Sequence, residues 1–170
     1  MNIELKNVRL YKEMSEETYC FKAMLYKDGK RMGEVENRGT GGCHSYGFTH
    51  EDTKEMNEWC KANLPKWGSR FGDGDIHETN LEMHISGLVE AYDNKKFMTS
   101  LLRRKIVVVD DTRKEGEYFH WNKAKYKGRV EELYSHILSK KSQFKNPVIL
   151  NKLEVMDAYN KLSHITNNGG

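Results

Sequence analysis

Proline is nearly absent from this chain. Pro65 and Pro147 are the two in 170 residues, and no stretch reads as a linker rich in Pro, Gly or Ser. Cysteine is also scarce and odd in number. Cys20, Cys43 and Cys60 lie 23 and 17 residues apart, without the two-residue spacing of a zinc knuckle or a redox pair. That excludes a disulfide scaffold and leaves three buried or incidental thiols as the expectation. Long apolar runs are missing as well, since none approaches the roughly 18 residues that span a bilayer. The opening residues carry Glu4, Lys6 and Arg9 where a signal segment would be apolar, so the expectation is a cytoplasmic protein with no membrane partner. Leu, Ile, Val and Phe together number 35, about a fifth of the chain and close to the range where disorder sets in. A net charge of only +3 and 18 aromatic residues argue instead for a folded, well-hydrated protein.

The order of elements predicts an α+β fold: an N-terminal antiparallel β-meander packed with about four helices and a short second hairpin. Ile3 and Leu5 alternate, and the phase then shifts to Val8 and Leu10, which predicts a bulge near Lys6–Asn7. Residues 19–26 alternate again, Asp28-Gly29 signals a tight hairpin, and a third strand is expected over Arg31–Asn37. Thr49 with Asp52 marks the start of a first helix carrying Met56, Trp59, Cys60 and Leu64. Gly68–His77 reads as a polar loop. Thr79 and Glu82 form a capping box for a second helix, with a break expected near Asp93–Asn94. Ile106–Val109 reads as a buried strand, Asp110–Gly116 as its turn and Glu117–Trp121 as the returning strand. Val130–Leu138 and Val155–Leu162 read as helices, with a short strand at Val148–Leu150 between them. One domain over 1–166 is expected, β-rich over 1–48 and helix-rich over 49–166, with one shared core and a frayed tail at 167–170.

Charge is unevenly spread. Residues 1–94 carry a net −5, residues 95–152 a net +9 and residues 153–170 a net −1. Such asymmetry points to a charged partner. The cations fall in three clusters: Lys95, Lys96, Arg103, Arg104 and Lys105; Lys123, Lys125, Lys127 and Arg129; and Lys140, Lys141 and Lys145. Trp121 and Tyr126 lie beside the second. Cations that replace counterions and aromatic rings that stack on bases are the two requirements of nucleic-acid binding. Lysines on solvated helix faces are the alternative, and no nucleic-acid-binding signature stands beside the clusters.

The glycine-rich stretch 38–47 is the other candidate site. Arg38, Gly39, Gly41, Gly42, His44 and Tyr46 are its candidate contacts for a nucleotide or another phosphate ligand, because glycines let backbone N–H groups approach an anion. The stretch matches neither a Walker loop nor a dinucleotide fingerprint, since His44 stands where the third glycine belongs. Asp73, Asp75 and His77 alternate like the start of a calcium loop, but the twelfth position is His84 rather than Glu. Asp110-Asp111 at a strand end is the remaining candidate, for a metal-dependent phosphoesterase; it lacks a following acid–x–lysine, and Asp-Asp also opens ordinary turns. His77 and His84 are seven residues apart, and no histidine pair shows the four-residue spacing of a helical zinc site. No serine elbow or catalytic constellation is visible, so neither catalytic residues nor a cofactor are expected.

The hairpin 20–30, followed by Asn37-Arg38-Gly39-Thr40-Gly41-Gly42, resembles small accessory proteins of phages and their bacterial hosts. The resemblance covers about the first 45 residues and brings no catalytic residue. It implies a non-enzymatic binding protein in the host cytoplasm that blocks or sequesters a host or defence component. The partner would be a host protein or an anionic ligand. The alternatives are a nucleic-acid binder using 95–145, a nucleotide binder using 38–47, and a phosphoesterase at Asp110/Asp111.

Overall fold

In the computed structural model, which describes residues 1–68, 76–110, 112, 117–139 and 142–167, the chain opens with an antiparallel meander. Strand β1 (Ile3–Leu10) pairs with β2 (Cys20–Lys27), and β2 with β3 (Lys30–Arg38). Their register shifts between Lys6 and Arg9, where Asn7 holds a positive φ of 54°. Asn tolerates that conformation better than most residues, and the bulge moves the apolar phase from Ile3/Leu5 to Val8/Leu10. Asp28 and Gly29 hold φ of 49° and 80°, the two left-handed residues of the β2–β3 turn. A fourth strand, β4 (Ser45–Tyr46), pairs with β3.

Helix α1 (His50–Asn63) starts at Thr49, whose hydroxyl accepts the Asp52 N–H at 3.1 Å. Short strands β5 (Trp67–Gly68) and β6 (Ile76–His77) pair, so the ends of the expected polar loop are joined. Helix α2 (Leu81–Arg104) is capped one residue later than the capping box implies. Asn80 accepts the Met83 N–H at 2.8 Å, while the Thr79 hydroxyl turns away to donate to the Pro65 carbonyl. The helix does not break at Asp93–Asn94. No Gly or Pro lies beyond Gly87, and isolated Asp and Asn cost a helix only tenths of a kcal/mol, up to about 0.7 each.

The remaining elements are β7 (Lys105–Asp110), β8 (Tyr118–Asn122), α3 (Val130–Ile137), β9 (Pro147–Ile149) and α4 (Val155–Asn167). The strands form an antiparallel sheet in the order β8-β7-β9. Architecture is thus mixed α+β, with a four-stranded sheet, a three-stranded sheet and four helices among the described residues.

Contacts divide the chain into two units, Met1–Asp93 and Asn94–Gly170, instead of at the compositional change near residue 48. In the first unit Phe21, Ala23, Leu25 and Val35 of the sheet pack on Met56 and Cys60 of α1 and on Leu81, Ile85 and Val89 of α2. In the second unit β7 is buried on both faces. Val107 and Val109 join Met98, Leu102, Leu150, Ala158 and Leu162, while Ile106 and Val108 join Tyr134, Ile137, Phe144 and Ile149. Among the described residues, buried side chains therefore form three clusters where one shared core was expected. The division falls within one residue of the boundary between negative and positive sequence. The first unit carries a net −5, and the second carries 16 Lys+Arg against 8 Asp+Glu, a net of +8.

Candidate functional site

Asn37 organises the glycine-rich stretch. It sits on the inward phase of β3, two residues after the buried Val35, where a polar side chain must find partners. Its Oδ1 accepts from the Thr18 hydroxyl at 2.9 Å and the Gly39 N–H at 2.8 Å, and its Nδ2 donates to the Gly42 carbonyl at 2.7 Å. The Gly39 carbonyl in turn accepts from the N–H groups of Glu16, Glu17 and Thr18. Gly39 holds φ of 88°, and a Cβ there would collide with the Met14 carbonyl oxygen. A Cβ at Gly41 would strike the Glu17 carboxylate. The stretch is thus a docked turn whose Gly39 and Gly41 N–H groups are already bonded, with an acid beside it. Of its candidate contacts, Arg38 is exposed, His44 is buried and Tyr46 is half-buried. Arg38 lines two hollows of about 400 and 140 Å³. Tyr11, Met14, Cys20 and Phe21 line the larger, and Thr40, Cys43 and Ser45 the smaller.

His44 joins this network to α2. Its Nδ1 lies 3.0 Å from Asn37 Nδ2 and its Nε2 lies 3.1 Å from the Ser86 hydroxyl. These spacings match a Ser-His-Asn relay, but the polarity is reversed. Asn37 must present its NH₂ group to His44, because its oxygen accepts the Gly39 N–H and its nitrogen reaches the Gly42 carbonyl. His44 Nδ1 is therefore an acceptor and Nε2 carries the proton, so Nε2 cannot take one from Ser86. The trio pins the turn to the helix instead of activating a nucleophile. Sequence inspection missed Asn37 and Ser86. The signal for Asn37 was a polar residue in the apolar phase of a strand; Ser86, 42 residues from its histidine, had none.

Burial pushes the His44 pKa down, against the smaller opposing pull of the Glu82 carboxylate and carbonyl, and burial also lowers that of His84. The unfolded chain therefore binds protons first, and stability rises with pH through this range. The thermal midpoint is expected to be level above about pH 6.5 and to fall as pH drops below that value. Melting curves from pH 8 to pH 5 test this, and a midpoint that rises on acidification contradicts it.

Asp110 is buried at the end of β7. Burial raises its pKa, but hydrogen bonds from the Thr112 hydroxyl and N–H and from the Lys145 and Asn146 N–H groups outweigh that and hold it below the usual carboxylate value. Those four bonds, at 2.7–3.3 Å, occupy both oxygens and tie the β7 end to the segment before β9. Asp111 lies outside the described residues, as do the calcium-like Asp73 and Asp75. Among the described residues no group of three or more His, Cys, Asp or Glu is placed to hold a metal, and no helix is long and apolar enough to cross a membrane.

The second unit gathers part of the basic sequence. Arg103 and Arg104 end α2, Lys105 begins β7 without an intervening loop, and Lys105 pairs directly with Asn122 of β8. The 3₁₀ turn Lys123–Tyr126 follows, and Lys123 Nζ donates to the Leu102 carbonyl at 2.9 Å. Arg103, Arg104, Lys105, Lys125 and Lys127 thus converge at one end of the three-stranded sheet. Lys95 and Lys96 are exposed about two turns earlier on α2, with Lys96, Arg103 and Arg104 on one face. Lys145 is tied to Asp110 at the far end of β7, about 17 Å away at 3.3 Å per residue. Lys140 and Lys141 lie outside the described residues. Arg129 pairs with Glu132 at 2.9 Å, whereas none of Arg103, Arg104, Lys105, Lys125 and Lys127 is ion-paired with an acid among the described residues. Trp121 is partly buried against Phe144 in the third cluster, and Tyr126 is half-buried. The exposed rings of β8 are instead Tyr118 and His120. No family model matches this chain, and no curated protein or solved structure shows significant similarity to it.

Proposed function

We propose that this protein is a non-enzymatic binding protein whose basic second unit engages a nucleic acid. The observation that carries the reading is the coincidence of charge and fold. A net +8 resides in one compact unit, and five cations converge at one sheet end with no ion-paired acid among the described residues. Binding without turnover is supported by two arrangements that resemble chemistry and are bonded for structure: the reversed Ser86–His44–Asn37 trio and the fully engaged Asp110. The phage-type setting implied by the N-terminal hairpin belongs to the same proposal, as occupancy of an anionic host component. The docked turn at 38–47, with its engaged N–H groups and nearby Glu17, favours a phosphate ligand less.

Neutralising about five phosphates of a single strand gives a slope of log K against log salt near −3.5, or about a 100-fold loss between 50 and 200 mM NaCl. Fluorescence anisotropy with a 20-residue oligothymidylate and a 20-base-pair duplex measures it. The triple variant Arg103→Ala, Arg104→Ala, Lys125→Ala is expected to bring the slope to about −1.5. Failure of both probes to bind at 50 mM salt, or affinity indifferent to salt, overturns the reading.

A further inference from the structure

Resting on that reading, we infer that the nucleic acid is single-stranded, with its bases stacked on Tyr118 and His120 and its phosphates at the Arg103–Lys127 end of the same sheet. Strand β8 is the edge of its sheet. Phe119 and Trp121 point inward, partnered with Val108 and Ile106, and their rings meet Phe144 at 4.9 and 6.3 Å. The other phase of β8 carries Tyr118, His120 and Asn122, opposite Val109, Val107 and Lys105. Directly opposed residues share a face, so Tyr118 and His120 stand on the face that Lys105 joins at the cationic end.

Both rings are open to solvent, Tyr118 at 40% exposure. Their centroids lie 6.0 Å apart and their planes are inclined by 34°. Neither ring is sandwiched against the other, so each offers a π-face to a separate base. Asn122, between the rings and the cations, accepts the Ala124 N–H at 3.1 Å through its Oδ1 and turns its amide NH₂ group to donating at a base edge. One strand running along β8 therefore meets two stacking surfaces, an amide and then a cluster of cations. A duplex gains little from these rings, because its bases are stacked on one another already. Stacking of this kind is tolerant of sequence, and the inference is for binding without base preference.

The test compares the intact protein with Tyr118→Ala/His120→Ala on oligothymidylate, on the duplex, and on an abasic strand of the same length and charge. Oligouridylate is run in parallel, and the pattern below on either the deoxyribose or the ribose strand supports the inference. Expected for the intact protein is a preference of tenfold or more for the base-bearing strand over both the duplex and the abasic strand. The double variant is expected to lose that preference with its salt slope unchanged, and Tyr118→Phe/His120→Phe to retain it. Equal, salt-dependent binding of all probes by the intact protein overturns the single-strand inference and leaves the proposed function standing. Salt-dependent binding of none removes the proposed function and the inference together. The abasic comparison needs no substitution, so misfolding of a variant cannot hide either result.

Discussion

Asn37→Ala is expected to destabilise the first unit by about 3–4 kcal/mol, because four partners lose their bonds at once. The Gly39 N–H and Gly42 carbonyl are backbone groups of a turn held against the sheet, the Thr18 hydroxyl is left with only the Gly41 N–H at 3.4 Å, and His44 Nδ1 has no second partner in this network. Unfolding in urea, followed by the fluorescence of Trp59 and Trp67, measures the change. A loss under about 1 kcal/mol would contradict the role given to Asn37. The conservative change is more informative. Asn37→Asp keeps the acceptor for Gly39 and Thr18 but turns an acceptor toward His44 Nδ1. His44 must then carry a proton there, and its pKa rises instead of falling. Stability of Asn37→Asp is therefore expected to increase as pH drops from 8 toward 6, opposite in sign to the natural sequence. No role for Asn37 as mere filler produces that reversal.

What local pattern could reveal about this chain was revealed well. The Asp28-Gly29 turn, the bulge at Asn7, the Thr49 cap and the buried run of β7 each depend on neighbours in sequence, and each stands where its residues place it. The change of charge near residue 94, read as pointing to a charged partner, coincides with the boundary between the two units. Long-range side-chain bonds were invisible. Asn80 displaces Thr79 as cap because the Thr79 hydroxyl has a nearby carbonyl at Pro65, 14 residues back. The glycine-rich stretch read as a phosphate-contact site because its anchors, Thr18 and Ser86, lie 19 and 42 residues from their partners. Trp121 read as a stacking surface because the phase of an edge strand is decided by what packs beneath it. Phe144, which claims Trp121 and Phe119, lies more than 20 residues downstream.

The same argument in the second unit makes Asn151 its counterpart of Asn37. Helix α2 passes into β7 with no loop, which leaves carbonyls at the helix end and the first strand residues without regular partners. Asn151 Nδ2 donates to the Leu102 and Lys105 carbonyls at 3.0 and 2.8 Å, and its Oδ1 accepts the Val107 N–H at 2.8 Å. Asn151→Ala is expected to cost about 2–4 kcal/mol. It would be seen as an earlier urea midpoint of Trp121 fluorescence in a Trp59→Phe/Trp67→Phe background. Lys123 shares the Leu102 carbonyl with Asn151, so Lys123→Met and Asn151→Ala should be non-additive, the pair costing more than the sum of the two. Lys123 is thereby spent on the fold: its removal should lower the midpoint while leaving the salt slope for oligothymidylate unchanged, against the shift of about 0.7 that one lost phosphate contact gives. Arg103→Ala/Arg104→Ala should do the opposite, reducing the slope without moving the midpoint. A Lys123 variant that changed only the slope would return that lysine to the binding surface and break the distinction between cations that hold the helix end and cations left free to meet phosphate.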